Sequence, residues 1–170
     1  MRALSRTSLR VALYAMLIAY GMIRFAGSPG DDLSSSYVAC HLMADGGQAH
    51  LYDHHPERFH VVDSPAWTDK AREIRFEGFL HPYVQTPLWA WALQPLCTSL
   101  DYGSFSTLFL FLALFSIALM IELAARFWAP RFLAPLPLAL LLGAIAATTP
   151  FSYALWLIQT HAMFLAMAMG

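Results

Sequence analysis

"FLHPYVQTPLWAWALQPLCTSL", residues 79–100, carries no charge and is long enough to be taken for a membrane span. Whether it crosses decides how the rest of the chain is threaded. Pro82, Pro87 and Pro95 interrupt it, and Pro95 falls inside the only part long enough to be helical. Charge gives a second test. If the stretch crossed, Arg126 and Arg131 would face outward. If it stays at the outer leaflet, the next apolar run, Tyr102 to Ile121, carries the chain inward and those arginines land in the cytoplasm, as the excess of Lys and Arg in cytoplasmic segments requires. Residues 79–100 are therefore read as a re-entrant or interfacial helix rich in tryptophan.

The surrounding sequence is that of a polytopic membrane protein. Apolar residues make up 58% of the 170 and charged residues only 12%, against about a quarter in an ordinary soluble domain. Mean hydropathy is +0.52. Charge-free stretches run from Val11 to Ile23, Tyr102 to Ile121 and Phe132 to Gly170, the last with a break at Thr148-Thr149-Pro150. Arg10 and Arg24 can snorkel from the ends of the first stretch, which extends it to a full crossing. The expected fold class is thus all-α and polytopic, with about four transmembrane helices near 8–26, 104–123, 132–149 and 151–170.

Arg2, Arg6 and Arg10 precede the first span without an acid among them, whereas residues 27–100 hold nine acids and four bases. The N-terminus is accordingly placed in the cytoplasm and the 27–100 loop outside a cell membrane. Three regions follow: 1–26, a tail and first helix; 27–100, an extracytoplasmic loop with interfacial helices and the re-entrant segment; and 101–170, three further helices. The chain then stops inside an apolar run, so the sequence reads as the N-terminal part of a longer protein. A secretory signal peptide is the competing reading of residues 1–27, and Arg24 before the would-be cleavage site argues for an uncleaved anchor.

In the loop, Leu33 to Ala44 is expected to form a short amphipathic helix along the membrane surface, with Leu33, Tyr37, Cys40 and Ala44 on one face, Asp32 at the N-cap and Gly46-Gly47 as the stop. A second short helix is expected near Thr68 to Glu77. Cys40 and Cys97 lie on the side where a disulfide is permitted, but as two residues without geometry they read as unpaired small apolar side chains.

Asp31 and Asp32 have a structural explanation at the positive end of a helix dipole and a chemical one as a general base for a hydroxyl acceptor. Arg24 is either a snorkelling anchor or a bidentate phosphate ligand. Six of the seven histidines, His41, His50, His54, His55, His60 and His81, fall in the outer loop with Asp45 and Asp53 nearby. A divalent metal is conceivable there, but no HExxH spacing occurs and solvated loop histidines are the reading adopted. No cofactor is otherwise implied. His81, beside Pro82, is the histidine placed best to meet a phosphate. The absence of a basic patch and of a Gly-rich phosphate loop excludes nucleic acid and nucleotide as expected partners.

The order of these pieces resembles the N-terminal portion of the multi-span glycosyltransferases of C type (GT-C), most of all glycosyltransferase family 87, the polyprenyl-phosphate-mannose-dependent mannosyltransferases. A first span is followed by Asp32-Leu33, by Tyr37-Val38-Ala39, by Leu51-Tyr52-Asp53 and by the proline segment from Pro82 through Pro87 to Pro95-Leu96; Gln159 in "LIQTHAMFLAM" is similar to a glutamine opening a later helix. Where the family has Gly, Asn and a paired proline, this chain has Ile158, His161 and Thr86. The resemblance implies transfer of a sugar, mannose by family, from a polyprenyl-phosphate donor to a glycolipid or glycan hydroxyl at the outer face of the bilayer, with inversion. Asp32 would be the base and Asp31 its neighbour in the catalytic pair, while Arg24, Tyr37, His81 and Tyr52 would bind substrate. A rival reading is a non-catalytic polytopic protein, such as a transporter subunit or scaffold, or an inactive fragment. Transporters place ionisable groups within their spans; here polar groups gather in the loop.

Overall fold

The structure, a computed structural model, describes residues 5–28, 30–53, 57–58 and 62–158. Among these, every regular element is helical. The chain divides into two compact units, one made of residues 1–28 and 107–170 and the other of residues 29–106.

In the first unit, α1 (Arg6–Phe25) and α5 (Tyr102–Trp128, which begins in the second unit) are the two helices long and apolar enough to cross a membrane. Ser5 caps α1 by accepting the Ser8 N–H at 3.1 Å. The helices α1 and α5 approach closely at Gly21, where an added Cβ would lie 2.4 Å from a Leu114 methyl carbon. At the other end of α1, Glu122 of α5 accepts from Tyr14 Oη at 3.0 Å, Arg126 Nε at 2.7 Å and Arg10 Nη1 at 3.4 Å. Of the crossings expected at 132–149 and 151–170, residues 159–170 lie outside the described residues. α6 (Pro135–Ala146) and α7 (Thr149–Leu157) meet at a 65° bend across a two-residue break, with Thr148 as N-cap of α7. At 1.5 Å per residue α6 is roughly 18 Å long, short of a bilayer core, and among the described residues the bent pair has the form of one broken span or a re-entrant loop. Gln159 and His161 lie outside the described residues.

The second unit is built around α2 (Asp31–Ala44), and here the structure corrects the sequence reading. Leu33, Ser34, Ser35, Ser36, Tyr37, Val38, Ala39, Cys40 and Leu42 are all buried, so α2 is a central helix and not an amphipathic one lying on a surface. The three serines explain the error: they read as a polar face, but their small side chains let neighbours pack closely, and two of the hydroxyls turn back onto the helix. Ser34 Oγ donates to the Asp31 carbonyl at 2.6 Å and Ser35 Oγ to the Asp32 carbonyl at 3.0 Å. Nor is Asp32 the N-cap. Gly30 holds that position with φ 58°, which places Asp31 and Asp32 in the first helical turn, where the dipole still favours acids. The stop is as expected. Gly46, with φ 78°, donates to the Met43 carbonyl at 3.2 Å and Gly47 donates to Leu42 at 2.7 Å, the paired bonds of a Schellman motif.

Around α2 pack α3 (Pro65–Glu73) and α4 (Pro87–Cys97), each opening on a proline whose missing N–H is no loss at that position. α4 is the helical part of the proline segment. Its 11 residues make roughly 16 Å, too short to cross. Trp67, Val38, Ala39, Leu42, Leu51, Tyr83 and Ala90 form the core. Cys40 of α2 and Cys97 of α4 are joined in a disulfide, contrary to their reading as unpaired residues. Folding brings two distant positions within 6.6 Å Cα to Cα, which linear sequence does not display.

Candidate functional site

Asp31 and Asp32 enter the site because Gly30 turns the chain into α2 one residue before them. The Gly30 carbonyl accepts from the N–H groups of Leu33 and Ser34 and from the Tyr102 phenol at 3.0 Å, which ties the start of α5 to the start of α2. From the opposite side comes the extended segment ahead of α4. Ser34 Oγ donates to the Phe79 carbonyl at 3.1 Å, and this contact sets His81 beside the helix start. His81 Nε2 lies 3.7 Å from Asp31 Oδ2, and both side chains keep part of their surface open, at 32% and 20% exposure. The His81 ring also meets Phe79 edge-on, with centroids 4.7 Å apart. The structure thus brings together Asp31 and His81 from segments about fifty residues apart in sequence, with Asp32 the next residue of the first turn of α2.

The other expected site residues of this unit have structural duties. Tyr37 is buried at 4% exposure; its phenol donates to the Leu100 carbonyl at 3.0 Å, and its ring is surrounded by Tyr102, Phe105 and His41. Burial pushes that phenol's pKa up, helped by the charge of Asp101, so it stays a donor. It lies in the core and not on a surface open to a ligand. Tyr52 donates to the Gln85 carbonyl at 2.7 Å while one face of its ring remains open. Asp53 accepts from Ser64 Oγ at 2.8 Å and contacts His50 Nδ1 at 2.9 Å. Since Ser64 is the N-cap residue of α3, the Leu51-Tyr52-Asp53 tripeptide acts as a clasp. Leu51 is buried in the core, Tyr52 grips the proline segment, and Asp53 grips the start of α3.

Tyr83 was not singled out from sequence, yet it organises the segment that carries His81. Its phenol donates to the Thr86 carbonyl at 2.6 Å and accepts the Ala90 N–H at 3.0 Å. Thr86 gives α4 no side-chain cap, so Tyr83 satisfies one of the amides that every helix start leaves open. Its signal in the sequence was its place four residues before a Pro at N1. Burial raises the Tyr83 pKa.

Among the described residues, no three His, Cys, Asp or Glu side chains converge as metal ligands. His54, His55 and His60 fall outside those residues. Lys70 engages Asp45 and Glu73, which takes Asp45 up in an ion pair.

Arg24 belongs to the first unit. It stands on the last turn of α1, exposed, with its guanidinium 5.7 Å from the Phe25 ring centroid. It lines a cavity of about 410 Å³ with Ser28 and, from α7, Thr149, Ser152, Tyr153 and Trp156.

Comparison of the chain with family models, with curated proteins and with solved structures finds no match.

Proposed function

We propose that the chain is a membrane glycosyltransferase that moves a sugar, mannose by family resemblance, from a polyprenyl-phosphate donor to a hydroxyl of a glycolipid or glycan at the outer face of a cell membrane. The observation that carries the reading is the meeting of Asp31 and His81, 3.7 Å apart, at the start of α2, where Asp32 is the next residue. The support from sequence is the ordered set of motifs shared with the family 87 enzymes.

In this reading Asp32 takes the proton of the acceptor hydroxyl as that oxygen attacks the anomeric carbon. The bond from that carbon to the donor's phosphate oxygen breaks, and the polyprenyl phosphate leaves with the electron pair. Displacement from the opposite face inverts the configuration. A phosphate departs without protonation by a strong acid, so a single base suffices. Asp31 holds acceptor hydroxyls or the orientation of Asp32, and His81 meets the donor phosphate. The four-span topology with the N-terminus in the cytoplasm belongs to this proposal, as does the placement of residues 27–100 outside.

The test is transfer from a polyprenyl-phosphate sugar in membranes expressing the protein. Asp32→Asn is expected to abolish transfer with expression intact, and Asp31→Asn to reduce it partly. Near wild-type transfer by Asp32→Asn overturns the assignment. A second reading, a non-catalytic folded cap, is favoured by the internal engagement of Tyr37, Tyr52 and Asp53. Unchanged transfer for both aspartate variants would support it.

A further inference from the structure

We infer that the first unit carries a site for the headgroup of an anionic glycerophospholipid at the end where α1 starts and α5 finishes. The charge there does not balance. Glu122 is the one carboxylate among residues 5–28 and 107–158, the described residues of this unit, and the guanidinium groups of Arg10 and Arg126 both engage its Oε1. Its Oε2 accepts from Tyr14. Arg10 is the poorly served partner. Its side chain is only 22% exposed, yet the 3.4 Å contact of Nη1 with Glu122 is its one hydrogen bond or ion pair among the described residues. A guanidinium carries five N–H donors, and a charge drawn this far out of water calls for an anion to meet them. Arg126 engages Glu122 through Nε at 2.7 Å, which leaves both Nη groups to donate. Arg6, one turn before Arg10, and Arg131, just past the end of α5, add two further positive charges and no acid. This end of the unit is short of negative charge.

The surroundings say which anion. A cavity of about 250 Å³ between the two helices is lined by Arg10, Arg126 and Glu122 together with the apolar Val11, Phe115 and Leu119. On α5, residues 111, 115, 119, 122 and 126 follow the three- and four-residue steps of one helix face, so Phe111, Phe115 and Leu119 lead up to the charged Glu122 and Arg126. All three apolar side chains are exposed. Phe111 to Glu122 is a rise of roughly 16 Å, and half of a ~30 Å hydrocarbon core is about the same length. The stripe thus has the depth of one leaflet. An inorganic anion uses none of it. A glycerophospholipid uses all of it, with its phosphate on the guanidinium groups, which match phosphate oxygens, and its acyl chains along the apolar stripe. Because guanidinium groups outnumber the carboxylate, a headgroup of net negative charge fits, and one that brings its own cation, as choline does, is disfavoured. Arg10 stands roughly 21 Å along α1 from Arg24, remote from the arginine that the family resemblance gives to the substrate. The site needs neither sugar transfer nor the orientation proposed above, and its failure leaves both standing.

The experiment uses the 170-residue chain in detergent micelles, stripped of lipid, with binding read by native mass spectrometry and by the melting temperature. The probes are phosphatidylglycerol, phosphatidylcholine with the same acyl chains, and inorganic phosphate. Phosphatidylglycerol is expected to bind saturably and about tenfold more tightly than phosphatidylcholine, and inorganic phosphate to compete poorly with it. Arg10→Gln and Arg126→Gln should each weaken phosphatidylglycerol by about fivefold, the attraction of one cation for an anionic lipid, with Arg10→Lys falling between and Arg24→Gln without effect. Glu122→Gln separates a lipid site from a cluster that only joins two helices. Without the competing carboxylate both guanidinium groups are left to the phosphate, so phosphatidylglycerol should bind at least as tightly as to wild type and raise the melting temperature of this variant more than that of wild type. The comparison of the two lipids on the wild-type chain holds even where a variant fails to fold. Equal binding of the two lipids, an unchanged preference in Arg126→Gln, or inorganic phosphate competing as well as the lipid overturns the inference.

Discussion

His41 shows how one residue gives the second unit a pH dependence. Burial lowers its pKa from 6.5, against smaller raising contributions led by a bond to the Cys97 backbone. Among the described residues its Nε2 is buried without a partner. The folded form therefore resists protonation while the unfolded chain accepts it below about 6.5. The unfolded state binds more protons there, so stability rises with pH in that range and falls as the solution is acidified from pH 6.5 downward. Thermal melts from pH 7.5 to 5 should show this decline, and His41→Gln should flatten it. Tyr83→Phe is a second test at this scale. It leaves the buried Ala90 N–H without an acceptor, for a loss of about 1–3 kcal/mol, read as a lower melting temperature; because Tyr83 also shapes the segment bearing His81, transfer activity should fall with it. Of the residues expected to act on substrate, Asp31 and His81 meet across about fifty residues, a pairing that the sequence reading did not contain. Tyr37 and Tyr52 were legible as important but not as structural, because a phenol's partner here is a backbone carbonyl 63 or 33 residues away, and carbonyls leave no mark in a sequence.

Helix positions were legible where a local rule sets them. Gly46-Gly47 ends α2 and Thr148 falls at the expected break and opens α7, while α3 begins at Pro65, three residues ahead of the start expected near Thr68. What escaped is tertiary. Burial around most of α2 depends on which helices surround it, and a run of three serines is polar in composition while being compact in packing. The ion cluster between α1 and α5 is of the same kind: Glu122 is more than a hundred residues from both Arg10 and Tyr14. Glu122→Gln removes the charge that Arg10 and Arg126 share. We expect a loss of about 1–2 kcal/mol, seen as an earlier unfolding transition in detergent, with Glu122→Asp less severe. Gly21→Ile should separate α1 from α5 more drastically, since its bulk would enter the space that Leu114 occupies.

At the scale of the molecule, the two units are held by different means. The first relies on apolar helices and one charged cluster; the second closes a small core with a covalent bond. In the chain-entropy view, a cross-link spanning 57 residues contributes about 4 kcal/mol by restricting the unfolded chain. Cys40→Ser with Cys97→Ser should lower the melting temperature of the second unit accordingly, and the wild-type chain should resist maleimide labelling until it is reduced. Composition and charge alone indicated a helical, membrane-type chain with a polar loop between its first two long helices, since those properties sum over many residues. The 65° bend and the shortness of α6 come from a two-residue break between α6 and α7, too local to alter any average.

The same disulfide also sets a clock on biosynthesis. Cys40 waits for a partner that is made 57 residues later, after the histidine-rich segment, α3 and nearly all of α4 have been synthesised. Until then its thiol is open to any other oxidant or cysteine in the compartment. A nascent chain arrested before residue 97 would therefore carry a trappable thiol, and one arrested beyond α4 would not, which turns pairing of this bond into a time stamp for closure of the second unit.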